Sequence, residues 1–154
     1  MSHVMSPVRT FALVMGIAFL LVGVMGFLPA PFVTAPRDMH GVTMHTNHGY
    51  LLGLFPVNLL HNLVHIAFGI WGIGGYLSGM GASRLFARAV TVIYAVLAIM
   101  GLFPRLDTVF GLIPIHGNDA WLHGLIACVA AYFGWAPAAT EPSSEVPHGT
   151  PLTR

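Results

Sequence analysis

Two histidines, His61 and His65, stand four residues apart in "LLHNLVHIAFGIWG" (Leu59–Gly72), a stretch that otherwise reads as membrane-grade apolar sequence. On a helix that spacing puts both imidazoles on one face, about one turn apart. Asp119 and His123 repeat the spacing in "GNDAWLHGLIACVAAYFG". Three imidazoles and a carboxylate turned toward one another make a donor set for a divalent transition metal such as zinc, iron or copper. Inward donors at i, i+3 or i+4 are how helical bundles build such centres. His65 and His123 alone offer a bis-imidazole pair for haem or a (bacterio)chlorophyll-type pigment. Asn62 and Asn118, each beside a donor, are candidates to support the site. The plainer reading is that an interfacial imidazole simply hydrogen-bonds a neighbouring helix, typically worth about 0.6 kcal/mol. In that reading Asp119 only caps a helix N-terminus, where a carboxylate is favourable. Ionisable groups inside apolar segments are costly, and their repetition here favours a functional role.

The elements that carry these residues follow from composition. The chain has 154 residues, 56% hydrophobic and 7% charged, with six arginines and no lysine. Such a chain cannot cover a globule with polar side chains and belongs in a bilayer. No formal charge lies between Arg9 and Arg37 or between Asp38 and Arg84. Both spans exceed the roughly 20 residues that cross about 30 Å of hydrocarbon. Two more apolar segments follow, so the fold class expected is an all-α membrane protein. Its four transmembrane helices fall at about 10–28, 57–77, 85–103 and 119–135, within a domain of residues 1–136. The tail 137–154, "PAATEPSSEVPHGTPLTR" from Pro137, reads as disordered. Net charge +1, without a basic face, excludes a nucleic acid partner. No Walker loop, nucleophile elbow, dinucleotide fingerprint or HExxH motif is present.

The chain also resembles itself. "FALVMGIAFLLVGVMGFLP" (Phe11–Pro29) aligns with "FARAVTVIYAVLAIMGLFP" (Phe86–Pro104) at a shift of 75, and "GLFPV" (Gly53–Val57) aligns with "GLIPI" (Gly111–Ile115) at a shift of 58. His65 then falls on His123, and His61 on Asp119. Two copies of one helical hairpin, with an insertion in the first connecting loop, predict parallel halves about an axis along the membrane normal. Arg9, Arg84, Arg88 and Arg154 against Arg37 and Arg105 place both termini in the cytoplasm by the positive-inside rule. The localisation expected is a multi-pass protein of a bacterial inner membrane.

His61 and Asp119 lie about five residues past Pro56 and Pro114, which puts the site near the outer surface. The Met/His-rich outer loop 30–52 is on the same side and adds His40, His45 and His48; His116 lies in the loop before the fourth helix. Met39 and Met44 each precede a histidine, a soft and borderline donor pairing that suits copper; the alternative is a wet loop whose methionines dip into the interface. Gly69 and Gly72 on the second helix, with Ala127, Ala130, Ala131 and Gly134 on the fourth, allow close helix approach. The lone Cys128 reads as an inert buried thiol.

The combination "GLFPVNLLHNLVHIAFGIWGI" and "GLIPIHGNDAWLHGLIACVAAYFG" resembles the domain of unknown function 4383 family, small bacterial four-helix membrane proteins. The resemblance falls on His61, Asn62, His65, Gly69, Asn118, Asp119 and His123 and implies a fold without an established activity. The function expected is a non-catalytic membrane protein with an outer-side His/Asp site for a metal, haem or pigment. It would be embedded among lipids, either free-standing or as an accessory subunit of a larger energy-converting complex. The alternative is a membrane metalloenzyme, an oxidoreductase, built on the same cluster with an open coordination position.

Overall fold

The structure, a computed structural model, describes residues 6–36 and 41–136. Four helices carry the architecture: α1 (Pro7–Met25), α2 (Leu59–Ser78), α3 (Met80–Gly101) and α4 (Asn118–Trp135). Two of them, α1 and α3, are long and apolar enough to cross a membrane. α1 pairs closely with α2 and α3 with α4, whereas α1 and α4 touch only sparsely. The tail 137–154 lies outside the described residues.

Element boundaries move by a few residues from those expected, for local reasons. α1 begins at Pro7, which supplies a ready-made φ at the first helical position, and stops at Met25. The next carbonyl, that of Gly26, accepts from Asn62 Nδ2 at 2.8 Å, so the chain turns away there. α2 begins at Leu59 because Asn58 caps it, its side-chain oxygen accepting from the His61 N–H at 3.0 Å. α3 starts at Met80, earlier than 85, since a single residue separates it from α2. That residue is Gly79, whose φ of 106° and ψ of −171° suit only glycine.

The segment expected as plain loop, 30–52, contains β1 (Val33–Thr34) and β2 (Gly49–Leu51); β3 (Phe55–Val57) follows it, with Val57 in the strand and not in the second helix, and the three form an antiparallel sheet. Tyr50 pairs with Pro56 and Val33 with Leu51. The loop is fastened to the α3–α4 connection, where the Thr43 N–H and hydroxyl both donate to Gly111 O at 2.8 and 2.9 Å. Asn58 Nδ2 donates to Met44 O at 3.1 Å and to Leu112 O at 2.7 Å, tying both connections to the start of α2. Asn58→Ala removes the cap and both ties. The cap alone is worth about 0.5–2 kcal/mol, and hydrogen exchange should quicken across 41–46 and 111–113.

The core runs between α1 and α3. Phe11 meets Phe86 at 6.5 Å between centroids and Phe19 meets Tyr94 at 5.3 Å. Each of these pairs joins positions 75 residues apart, which are counterparts in the repeat. Where α1 crosses α2 the backbones nearly touch: a Cβ on Gly69 would sit 2.7 Å from Leu20 N and 2.9 Å from Gly16 O. Gly69→Ala should therefore force the helices apart and destabilise by about 1–3 kcal/mol. Gly74→Ala, with open space around it, should be neutral or slightly stabilising; thermal melts of both variants in detergent compare them.

At the far end the arginines serve the helices. Arg9 Nε and Nη2 donate to Tyr76 O at 3.2 and 3.0 Å, Arg88 Nε to Gly134 O at 2.9 Å, and Arg84 Nη2 to Ala136 O at 3.3 Å. α2 and α4 have no basic residue in their own last turns. Cations from the adjoining helices satisfy their terminal carbonyls and oppose the dipole. Gly134 also packs under the Arg88 stem, and Ala127 and Ala130 are buried against α3, as small interface residues should be. Cys128 is exposed on the outer face of α4, contrary to expectation. An apolar helix gives no contrast from which its buried side can be read.

The exterior of all four helices is apolar. Leu21, Ile70, Leu77, Leu85, Ile99 and Leu125 are all more than half exposed, while His61, Asn62, His65, Ser83, Asp119 and His123 are buried. Large aliphatic residues on the outside, with ionisable groups buried beside an apolar core, depart from the arrangement of a water-soluble domain.

Candidate metal centre

His61 is the third residue of α2, and Asp119 the second and His123 the sixth of α4. Both helices thus present their donors from their first two turns, at the end of the bundle covered by the sheet and loops. Side chains there are only 2–8% exposed: His123 2%, His61 3%, Asp119 3% and His65 8%.

The N-cap position of α4 is Gly117, which has no side chain to cap with, and Asp119 is the acidic residue of the first turn, where a carboxylate is favourable to the dipole. Its Oδ2 lies 3.7 Å from His61 Nε2 and 3.8 Å from His123 Nε2 and has no hydrogen-bond partner. Those separations exceed the 2.7–3.2 Å of a direct hydrogen bond. The three groups therefore approach one another without a direct hydrogen bond between them. One donor atom from each of His61, Asp119 and His123 lies within 4.8 Å of the others. For comparison, two ligands at about 2.0–2.2 Å from one ion stand roughly 3.4 Å apart at a tetrahedral angle and somewhat more at a wider one.

The orientation of His61 sharpens the point. Its Nδ1 lies 3.1 Å from Pro56 O. A carbonyl only accepts, so Nδ1 donates, and a neutral imidazole then keeps its lone pair on Nε2. That lone pair faces the Asp119 carboxyl oxygen across 3.7 Å. A carbonyl on the far nitrogen is the support that metal-binding histidines usually have. Pro56 belongs to β3, so the small sheet holds the carbonyl that orients the ring.

His65 is placed differently. Its ring stacks on His61 at 4.6 Å and on Phe19 at 5.8 Å, and it is not among the three converging donors. Its Nδ1 is buried without a hydrogen-bond partner. Tyr94 meets His123 edge-on at 4.9 Å. Phe19 and Tyr94 therefore stand beside His65 and His123, counterpart beside counterpart. Sequence reasoning missed both aromatics, although the shift of 75 relates them. It also missed Pro56 as an orienting group, which only the strand pairing reveals.

The remaining candidates are not gathered here. Asn62 serves the α1 terminus through Gly26 and Asn118 reaches Leu54 O at 3.5 Å. His45 is exposed in the loop, His48 is half-buried, and His116 packs against Tyr50 at 6.4 Å. Among the described residues none of the three joins the converging set. His40 lies outside the described residues.

Two apolar cavities flank the centre. One of about 180 Å³ lies between α2, α3 and the α3–α4 connection, and one of about 290 Å³ between α1, α4 and the sheet. His61, His65 and His123 line both.

Fold and site together define a four-helix protein with an apolar exterior and a buried His/Asp cluster near one end. Residues 9–136 match the family described as Domain of unknown function (DUF4383), and the chain belongs to that family. No curated protein and no solved structure matches it.

Proposed function

We propose that the protein is a non-catalytic, multi-pass membrane protein that holds one divalent transition metal between His61, Asp119 and His123. The observation that carries this reading is the buried Asp119 Oδ2, unpaired and facing two imidazole Nε2 atoms at 3.7 and 3.8 Å. A cation between them satisfies all three groups at once. Two nitrogens and one oxygen suit zinc, iron or copper. A single ion is favoured over haem or a (bacterio)chlorophyll, because His65, one half of the bis-imidazole pair, is not among the three converging donors.

In this reading all four helices cross the membrane as two parallel hairpins about a pseudo-two-fold axis. The contacts Phe11–Phe86 and Phe19–Tyr94 support it, because counterparts meet each other only near such an axis. So do the apolar exteriors of α2 and α4, whose polar residues are turned inward. The three arginines Arg9, Arg84 and Arg88, all at the end away from the site, make that end cytoplasmic in an inner membrane. The same exteriors suit lateral packing against a larger membrane complex, which native electrophoresis in mild detergent would reveal.

One observation favours a second reading, a membrane metalloenzyme of the oxidoreductase type. Two histidines and one carboxylate leave coordination positions open, and here those positions adjoin apolar space. Metal analysis and an absorption spectrum of the detergent-purified protein test the metal. Addition of azide to the cobalt-loaded form separates the two readings: a changed spectrum indicates an open position, an unchanged one a closed structural centre.

A further inference from the structure

We propose that the larger cavity binds an uncharged, membrane-soluble molecule of the quinone or quinol type, its oxygen-bearing end at His65 and its apolar body along α1. The cavity of about 290 Å³ is roughly twice the size of an apolar cavity of about 150 Å³ that stays dry and takes up benzene. It has room for a fused ring system. Met15, Ala18, Phe19, Val22 and Met25 form its wall on α1, a stretch of about 15 Å at the helical rise. Leu122 and Ile126 of α4 face them, and Leu51, Phe55 and Val57 of the sheet cover the outer end.

One end of this slot is polar, formed by His61, His65, Asp119 and His123. Three of these residues belong to the proposed ion. His65 does not, and its Nδ1 is a buried polar atom without a hydrogen-bond partner in a residue only 8% exposed. Such atoms are rare and costly in folded proteins, and a ligand carbonyl or hydroxyl is a fitting partner. The Phe19 ring lies against His65 at 5.8 Å with 21° between planes, so the wall beside the polar end is flat and aromatic, as a planar ring requires. Among the described residues no arginine lines the cavity, and the Asp119 carboxylate disfavours an anionic head. α1 and α4 touch sparsely, leaving the slot's flank toward the lipid. The proposal rests on the membrane placement and not on the ion.

Menadione, a naphthoquinone without a chain, is the probe, and 2-methylnaphthalene is the same ring system without carbonyls. The full chain in detergent micelles should retain about one menadione and melt at a higher temperature with it bound. 2-Methylnaphthalene should bind about tenfold more weakly, the loss of one buried hydrogen bond. Ala18→Phe and Val22→Phe, which fill the slot, should each lose menadione by more than tenfold, and His65→Phe should bring menadione down to the level of 2-methylnaphthalene. Metal content measured on the same samples should stay at the wild-type value in the two filled variants, which separates this site from the metal centre. The proposal is overturned if a filled variant that melts cooperatively binds menadione as the wild type does. It is equally overturned if the two probes bind wild type alike, an outcome that decides the matter even where neither filled variant folds.

Discussion

One divalent transition ion per chain is expected to stay with the protein through purification in mild detergent, and Asp119→Asn is expected to weaken its binding by more than about a hundredfold. That lower bound comes from groups that merely orient metal ligands, whose loss already costs 10–100-fold. Asp119 is in the proposed first coordination sphere and supplies its single negative charge. Asparagine keeps the size but offers an amide that can donate to the Nε2 atoms now 3.7 and 3.8 Å away, so the variant should stay folded while losing the ion. His61→Ala and His123→Ala should behave alike. His65→Ala should keep the ion within about tenfold, because its ring is stacked behind His61 and is not one of the three converging donors. Chelation of the wild type should lower its melting temperature, since an ion bound only by the native state stabilises it by mass action, whereas Asp119→Asn should be indifferent to chelator. Elemental analysis after dialysis against a competing chelator measures all four variants. Equal metal content in wild type and Asp119→Asn would remove the centre from consideration.

The triad was legible in the sequence because two different signals converge on it. The i, i+4 spacing fixes a common face within each helix, and the repeat predicts that the two faces meet. His65 obeys the same spacing, yet it lies a turn deeper along α2, where its ring stacks against Phe19. Spacing along one helix cannot tell which of two stacked residues reaches the neighbour. The four helices were legible from long uncharged runs, with ends displaced where a tertiary bond intervenes, as at Gly26 and Asn62. The sheet was not legible. Its strands are two or three residues long, too short for an alternating pattern, and β1 meets β2 only across the intervening segment 35–48. With the sheet went Pro56, the carbonyl that orients His61. Cys128 shows the same limit from the opposite side. α4 is apolar almost all round, so only the packing of Ala127 and Ala130 against α3 reveals which residues point outward.

Thiol labelling in intact cells should divide the chain cleanly in two. Thr46→Cys, exposed in the loop over the metal centre, should react with a membrane-impermeant maleimide added outside. Ser78→Cys, exposed at the α2–α3 turn, should react only after permeabilisation. The two positions lie at opposite ends of α2, a helix of 20 residues and hence about 30 Å long, the thickness of the hydrocarbon core. Arg9, Arg84 and Arg88 bind carbonyls at the Ser78 end, the end that the proposed topology puts in the cytoplasm by the charge rule. Cys128 is an internal control. It is exposed on the α4 surface yet lies ten residues from the start of that helix, close to the middle of the span. In a membrane it should resist the aqueous reagent from either side, and it should be the thiol that a lipid-soluble maleimide reaches. A charge placed on the same face, as in Leu125→Arg, should cost about 2.5–3.5 kcal/mol at depth and deplete the protein from the membrane fraction. Labelling of Cys128 by the impermeant reagent in sealed cells would mean that α4 is bathed in water, and the four crossings would fall with it.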